Sequence, residues 1–292
     1  MLKVEGDRLK KVKKRVVVKI GTAVLTRSRD EFEERASRVG SWKKLSLGMY
    51  GNLNLAVIKS IVASTVKLLD DGAEVIIVSS GAIGAGLSRI KLHGYSLQHK
   101  QALASIGQAQ LINIYDRFFH RHGRIVAQVL LTKDDLENKK RMANARNTFE
   151  NLLGLGVVPI VNENDTVAID EIKFGDNDML SAEVAVKIKA DMIVILTDVD
   201  GLFSNDPRNS GKAELIKEVR SITPEIFRSA GGSVSGCGTG GMASKLRAVK
   251  LAASRGITSY IANGRKKDVL WDIWKGNNRG TLFFAGRKRV RP

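Results

Sequence analysis

Val75-Ile76-Ile77-Val78-Ser79-Ser80-Gly81-Ala82-Ile83-Gly84-Ala85-Gly86 decides the fold. Four apolar residues in a row read as a strand buried on both faces. The strand runs without a spacer into a loop of small residues, whose N–H and hydroxyl donors suit it to wrap a substrate. Upstream, Leu55, Ile58, Val62, Val66 and Leu69 recur at helical spacing, and Asp70-Asp71-Gly72 stops that helix. Before it, Val16-Val17-Val18-Lys19-Ile20 is another apolar run, ending at Gly21. Downstream, a helix over roughly 97 to 121 carries Leu103, Ile106, Leu111, Ile114 and Phe118 on its apolar side. Strands follow at 125–131, 157–161 and 192–196, helices at 143–153, 178–189 and 242–255, and late strands at 257–262 and 282–284. Pro159 marks its strand as locally irregular or at an edge. This alternation predicts an α/β fold, a three-layer αβα sandwich around a mainly parallel sheet. Ligands in such sheets lie beyond the carboxyl ends of the strands, so the residues just after each strand carry the functional reading.

The 292 residues, 43% hydrophobic, suffice for a substantial core, and four prolines without low-complexity tracts argue against disorder. A single cysteine, Cys237, excludes an internal disulfide framework and suits a reducing compartment; its glycine neighbours make it a small residue in a tight turn. The apolar runs are strand-sized and the first residues do not open a signal peptide, so a cytoplasmic protein is expected. The net charge of +18 attracts nucleotides, acidic metabolites and nucleic acids alike. Part of the excess sits in two terminal patches, Lys10–Arg15 and Arg287–Arg291, read as solvated tails.

Lys19 stands inside an otherwise apolar strand, where a charge is unfavourable unless it faces a cleft or a partner. Gly21 and Thr22 follow, where a phosphate fits close to backbone. No G-x-G-x-x-G spacing and no Walker A loop is present. Asn162-Glu163-Asn164-Asp165-Thr166, with Glu171 and Gly175-Asp176-Asn177-Asp178, is a dense group of amides and carboxylates. It admits three readings: a divalent metal site, a grip on a substrate ammonium, or turn residues. Thr197-Asp198-Val199-Asp200 ends another strand and suits contact with a nucleotide base or ribose. Ser235-Gly236-Cys237-Gly238-Thr239-Gly240-Gly241-Met242-Ala243-Ser244-Lys245 places bare backbone N–H groups before a helix and ends on a lysine, a pattern for phosphate oxygens.

Val-Lys-Ile-Gly-Thr at 18–22, Ser-Ser-Gly-Ala-Ile-Gly-Ala-Gly at 79–86, Val-Asn-Glu-Asn-Asp-Thr-Val at 161–167, Gly-Asp-Asn-Asp at 175–178, Leu-Thr-Asp at 196–198 and Ser-Gly-Cys-Gly-Thr-Gly-Gly-Met at 235–242 occur in this order. Together they resemble the amino acid kinase family, in its glutamate-phosphorylating branch, over about residues 16–286. The resemblance implies ATP- and Mg2+-dependent phosphorylation of the γ-carboxylate of L-glutamate to γ-glutamyl phosphate, the first step toward proline. It implies that Lys19 and Lys245 contact phosphates and that Asp178 holds them. Ser80, Gly81, Asn162, Asp165 and Asn177 match the glutamate set, with Asp165 near the amino group. Lys19, Gly21, Thr197, Asp198, Gly238, Thr239, Gly240, Gly241, Met242 and Lys245 match the nucleotide set. The magnesium ion is expected on the phosphates, with no protein ligand named.

One kinase domain is expected over the chain, with residues 27–52 as a basic insertion and without the C-terminal RNA-binding-type domain of many relatives. The resemblance also implies a homo-oligomer, dimer or tetramer, and coupling to glutamyl phosphate reductase. The rival readings are a related kinase with another acidic acceptor and, prompted by the charge, a nucleic-acid binder. The second lacks zinc-ligand spacing and an aromatic-rich sheet.

Overall fold

A computed structural model describes residues 13–27, 53–90, 96–167, 177–205, 213–229 and 241–286. Most of the basic insertion, Lys10, Lys11, the C-terminal basic patch, Glu171, Gly175, Asp176, Cys237, Gly238, Thr239 and Gly240 lie outside the described residues. Arg15, expected in a solvated tail, instead opens the first strand and is ion-paired with Glu74 at 2.8 Å and Glu150 at 2.9 Å. The strands are β1 (Arg15–Ile20), β2 (Glu74–Ser79), β3 (Val126–Leu131), β4 (Val158–Glu163), β5 (Met192–Thr197), β6 (Glu218–Val219), β7 (Thr258–Asn263) and β8 (Gly280–Phe283). The helices are α1 (Thr22–Leu25), α2 (Leu55–Asp70), α3 (Ala82–Leu87), α4 (Leu97–His120), α5 (Lys133–Glu137), α6 (Lys139–Gly154), α7 (Asn177–Lys187), α8 (Pro224–Ser229), α9 (Met242–Ser254) and α10 (Val269–Trp274).

The strands form one sheet in the order β3-β4-β2-β1-β5-β7-β8-β6. Every pairing is parallel except β7 with β8. Alternate residues of a strand point to opposite faces, and that alternation sorts the core into two layers. Val16, Val18, Ile20, Val75 and Ile77 pack with Ile58 and Val62 of α2, Leu111 and Tyr115 of α4 and Leu270 of α10. Val17, Ile76, Val78 and Ile193 pack on the other face with Phe149 of α6, Leu180 of α7 and Leu246 of α9. The expected three-layer sandwich is therefore the observed one. Gly72, at φ +90°, ends α2 where the sequence places the stop.

Three local expectations need correction. Pro159 is in β4, one strand in from the edge. The Val158 N–H bonds Ile125 O on the β3 side, and pairing with β2 begins only at Ile160. Pro159 thus falls where the β2 side has no bond to lose. On α4, Ile106 is exposed, whereas Leu103, Leu111 and Ile114 are buried; the buried face runs instead through Ala104, Gly107 and Gln108.

The loop expected at 79–86 becomes α3 from Ala82 onward, and its glycines serve helix packing. A Cβ at Gly86 would lie 2.0 Å from Leu103 O, and one at Gly107 would lie 1.8 Å from Ala82 O. Both obstacles are backbone, so neither side can give way. Gly107→Ala is expected to destabilise by about 3 kcal/mol through overpacking. Its thermal midpoint should fall by roughly 6 °C; an unchanged midpoint would show that α3 and α4 do not meet there.

Candidate active site

The sheet order reverses at β1, which has β2 on one side and β5 on the other, and such a switch point opens a crevice at the carboxyl ends. Lys19 shares its face of β1 with Val17, the face covered by α7 and α9. On that face α7 brings Asp178 and α9 brings Lys245. Lys19 Nζ lies 2.6 Å from Asp178 Oδ1, and Lys245 Nζ lies 3.2 Å from Asp178 Oδ2. Asp178 is fully buried, and the two lysines are 4% and 6% exposed. One carboxylate holds two ammonium groups, each by its own oxygen. Like charges brought this close repel unless an anion lies between them. The trio still carries one surplus positive charge, which suits an anionic ligand. Asp178 is in the first turn of α7, where the helix dipole favours a negative charge. The lysine inside an apolar strand is therefore central and partnered, with no outlet at an edge.

Asn177, the preceding residue, turns the other way. Its Nδ2 donates to Asn162 Oδ1 at 2.8 Å, to Ser79 O at 3.0 Å and to Ser80 Oγ at 3.1 Å. Asn162 Oδ1 also accepts from the Glu163 N–H at 2.9 Å, and Asn162 Nδ2 donates to Gln108 Oε1 at 2.8 Å. Ser80, Asn162 and Asn177, proposed together from sequence, are thus one hydrogen-bonded set. Gly81 begins α3 at φ +96°, a left-handed conformation that favours glycine, and a Cβ there would lie 3.3 Å from Leu25 Cδ1. Beneath the turn, Tyr115 and Ser79 share a buried hydroxyl–hydroxyl bond of 2.9 Å. Burial pushes the Tyr115 hydroxyl well above the usual phenol range, so it stays protonated as a brace.

Across β1, the ends of β5 and β7 form the other wall. Thr197 is buried and its hydroxyl donates to Asp198 Oδ1 at 3.2 Å, with Asp198 exposed. Gly264 N–H closes on Thr197 O at 2.9 Å. Asp200 accepts from Lys266 Nζ at 2.7 Å and Asn263 Nδ2 at 2.9 Å; the Lys266 bond, then the Asn263 bond, hold its carboxyl below the usual range. Gly241 caps α9 in an extended conformation without a side-chain bond. Met242 packs against the core layer shared by α7 and α9.

Gly21 departs from its expected part. Its N–H donates to Leu196 O at 3.0 Å, so it is committed to the sheet and not to a phosphate. What Gly21 supplies is space, since a Cβ would lie 3.2 Å from Leu196 O and 3.6 Å from Lys19 Nζ. Asp165 stands outside the amide set. It lines a cavity of about 280 Å³ with Glu163, Asn164, Gln128 and Gln108. Sequence reading missed Gln108, and the only signal for it was a polar side chain on the buried face of α4. Asn263 and Lys266, which hold Asp200, carry no signal in the sequence reading. Among the described residues no three His, Cys, Asp or Glu side chains gather as a metal cage. Among the described residues, too, no helix is long and apolar enough to cross a membrane.

A mostly parallel sheet with a cationic cluster at its switch point, flanked by hydrogen-bonded amides on one side and a turn-rich wall on the other, is an arrangement suited to an anionic ligand. The sequence signature of the amino acid kinase family matches residues 14–263. A protein named glutamate 5-kinase from Clostridium perfringens is 44% identical over 278 residues, covering 93% of this chain and 96% of that one. One of the same name from Geobacter metallireducens is 45% identical over 284 residues, covering 97% of this chain and 70% of that one. Among solved structures, the carbamate kinase of Giardia lamblia bound to AMP-PNP superposes with a TM-score of 0.63 at 14% identity, over 94% of this chain and 99% of that one. The UMP kinase of Ureaplasma parvum does so with 0.59 at 15%, over 93% and 99%. At those identities the likeness speaks for the fold alone. The chain belongs to the amino acid kinase family, and it is an ATP-dependent kinase.

Proposed function

We propose that the protein transfers the γ-phosphoryl group of ATP to the γ-carboxylate of L-glutamate, giving γ-glutamyl phosphate and ADP, the step that opens proline biosynthesis. The observation that carries this reading is the Lys19–Asp178–Lys245 cluster, set between the Asn162 and Asn177 amides with the Ser80 hydroxyl and the β5–β7 wall. The near-full-length relatives named glutamate 5-kinase support the choice of acceptor.

The acceptor carboxylate is ionised at neutral pH, so no general base is needed. The obstacle is that one anion must approach another. A γ-carboxylate oxygen forms a bond to the γ-phosphorus while the bond to the β-phosphate oxygen breaks and ADP leaves. Catalysis is then positioning plus neutralisation of the phosphoryl oxygens. Lys19, on the strand between the two walls, serves the transferring group, and Lys245 serves the β–γ bridge. Asp178 holds both amines without supplying a proton. Ser80, Gly81, Asn162, Asn177 and Asp165 take glutamate. Thr197, Asp198, Gly241 and Met242, with Gly238, Thr239 and Gly240, take the nucleotide. Magnesium bound to the nucleotide neutralises further phosphate charge.

The same reading has one kinase domain over residues 16–286, with 27–52 as an insertion. It makes the protein a cytoplasmic homo-oligomer that passes its reactive acyl phosphate to glutamyl phosphate reductase.

Hydroxylamine traps an acyl phosphate as a hydroxamate. ADP release should require glutamate and should not occur with aspartate, acetylglutamate or UMP as acceptor, and the glutamate product should be trapped as a hydroxamate. Turnover with one of these and none with glutamate would refute the assignment. Asp165→Ala should raise KM for glutamate by about 10–100-fold, the worth of a hydrogen bond between charged groups. Its KM for ATP should not move; an equal rise in both would remove Asp165 from the glutamate site.

A further inference from the structure

We propose that Gln108 is a specificity-determining residue of the acceptor site, whose side-chain N–H donates to the α-carboxylate of the amino-acid substrate. This rests on the reading of the acceptor as glutamate. The orientation of the Gln108 amide follows from its neighbours. Asn162 Oδ1 accepts from both Asn177 Nδ2 and the Glu163 N–H, so the other end of Asn162 is its NH2 group. That group donates to Gln108 Oε1 at 2.8 Å. Turning Gln108 over would set donor against donor. Its Nε2 is therefore fixed on the side away from Asn162, where it is buried and has no partner among the described residues.

Gln108 is 9% exposed, and it lines the cavity of about 280 Å³ that Asp165 also lines. Buried polar groups nearly always have a partner, so the occupant of the cavity is the natural source of an acceptor. The chemistry of that occupant narrows further. Glu163 and Asp165 make the rim acidic, which suits an ammonium group. Ser105 on α4 bonds Thr166 at 3.2 Å, holding the turn that carries Asp165 against the helix. In an α-amino acid the ammonium and the carboxylate share one carbon. A group that takes the ammonium at Asp165 leaves the carboxylate within a few ångströms, beside acidic side chains that repel it. A neutral amide donor answers that need without adding a charge.

Gln108→Glu separates donation from mere positioning, because it keeps an oxygen for Asn162 and removes the donor. KM for glutamate is expected to rise at least about tenfold near pH 8, the loss of a hydrogen bond to a charged group. The rise should shrink as pH falls and the new carboxyl regains a proton. KM for ATP and the thermal midpoint should stay as in the wild type. Glutarate, which keeps both carboxylates and lacks the ammonium, should weaken as a competitor by the same factor, and Asp165→Ala should leave glutarate unaffected. Should Gln108→Glu fail to fold, Gln108→Met removes the donor together with the oxygen that Asn162 uses, and it should raise KM for glutamate at least about tenfold at every pH with KM for ATP unchanged. A glutamate KM within about twofold of wild type, or a loss confined to kcat, overturns the proposal. A wild-type protein that forms no glutamate hydroxamate overturns the acceptor assignment itself, and that result is read before any variant.

Discussion

Lys245→Ala is expected to bind glutamate as the wild type does and to lose turnover by a factor on the order of 10²–10³, the loss seen when one preorganised donor is removed from a developing anion. The structure explains why the fold should tolerate it. Without Lys245, Asp178 keeps Lys19 at 2.6 Å, so no buried charge is stranded and the cluster becomes a neutral pair. What disappears is the surplus positive charge that answers the phosphates. The loss should therefore fall on kcat and spare KM for glutamate, whose proposed pocket is the hydrogen-bonded set of Ser80, Asn162 and Asn177. Steady-state kinetics with the hydroxamate readout checks this. A folded variant with wild-type kcat would remove Lys245 from the chemistry.

Asp178→Ala should behave in the opposite way, failing in stability before it fails in rate. Lys19 and Lys245 are 4% and 6% exposed, and neither chain can swing its amine to water without leaving the core. Removing their shared anion takes from both buried ammonium groups the carboxylate that joins them. Breaking a buried ion pair from one side costs about 3–5 kcal/mol, a large part of the roughly 5–15 kcal/mol that keeps a domain folded. The variant should melt far below wild type, and its midpoint should recover in part with added ATP, whose phosphates replace the missing negative charge. Asp178→Asn keeps the size and removes the charge, so it should be nearly as unstable. A midpoint equal to wild type in both variants would show that the two lysines do not depend on Asp178.

The architecture was largely legible because the central strands are mostly apolar runs and each long helix has a periodic face. Val75–Val78 and Val16–Ile20 led directly to the central pair of the sheet. The misreadings share one cause, which is that a residue's neighbours in space were hidden. Gly84 and Gly86 look like a substrate loop until Leu103 O is found against Gly86. Gly21 looks like a phosphate donor until Leu196 O is found to hold its N–H. Gln108 looks like one more polar helix residue until Asn162 is found to fix which way its amide points. Ile106 was assigned to the core from its spacing alone, yet the buried face of α4 is set by the approach of α3 at Gly107.

Sequence by itself determined the order of the longer helices and of every strand but β6, the anomaly of a charged residue at position 19 within a buried strand, and the family to which the motifs point. Local physics suffices for these, since apolar periodicity, turn chemistry and the unfavourable burial of an unpaired amine act within a few residues. The meeting of Lys19, Asp178 and Lys245, the separation of the Asn162–Asn177 side from the β5–β7 wall, and the unpartnered nitrogen of Gln108 were decided only by the tertiary structure. Those depend on which strand lies beside which, and strand order is set by long-range packing that no short stretch of chain encodes.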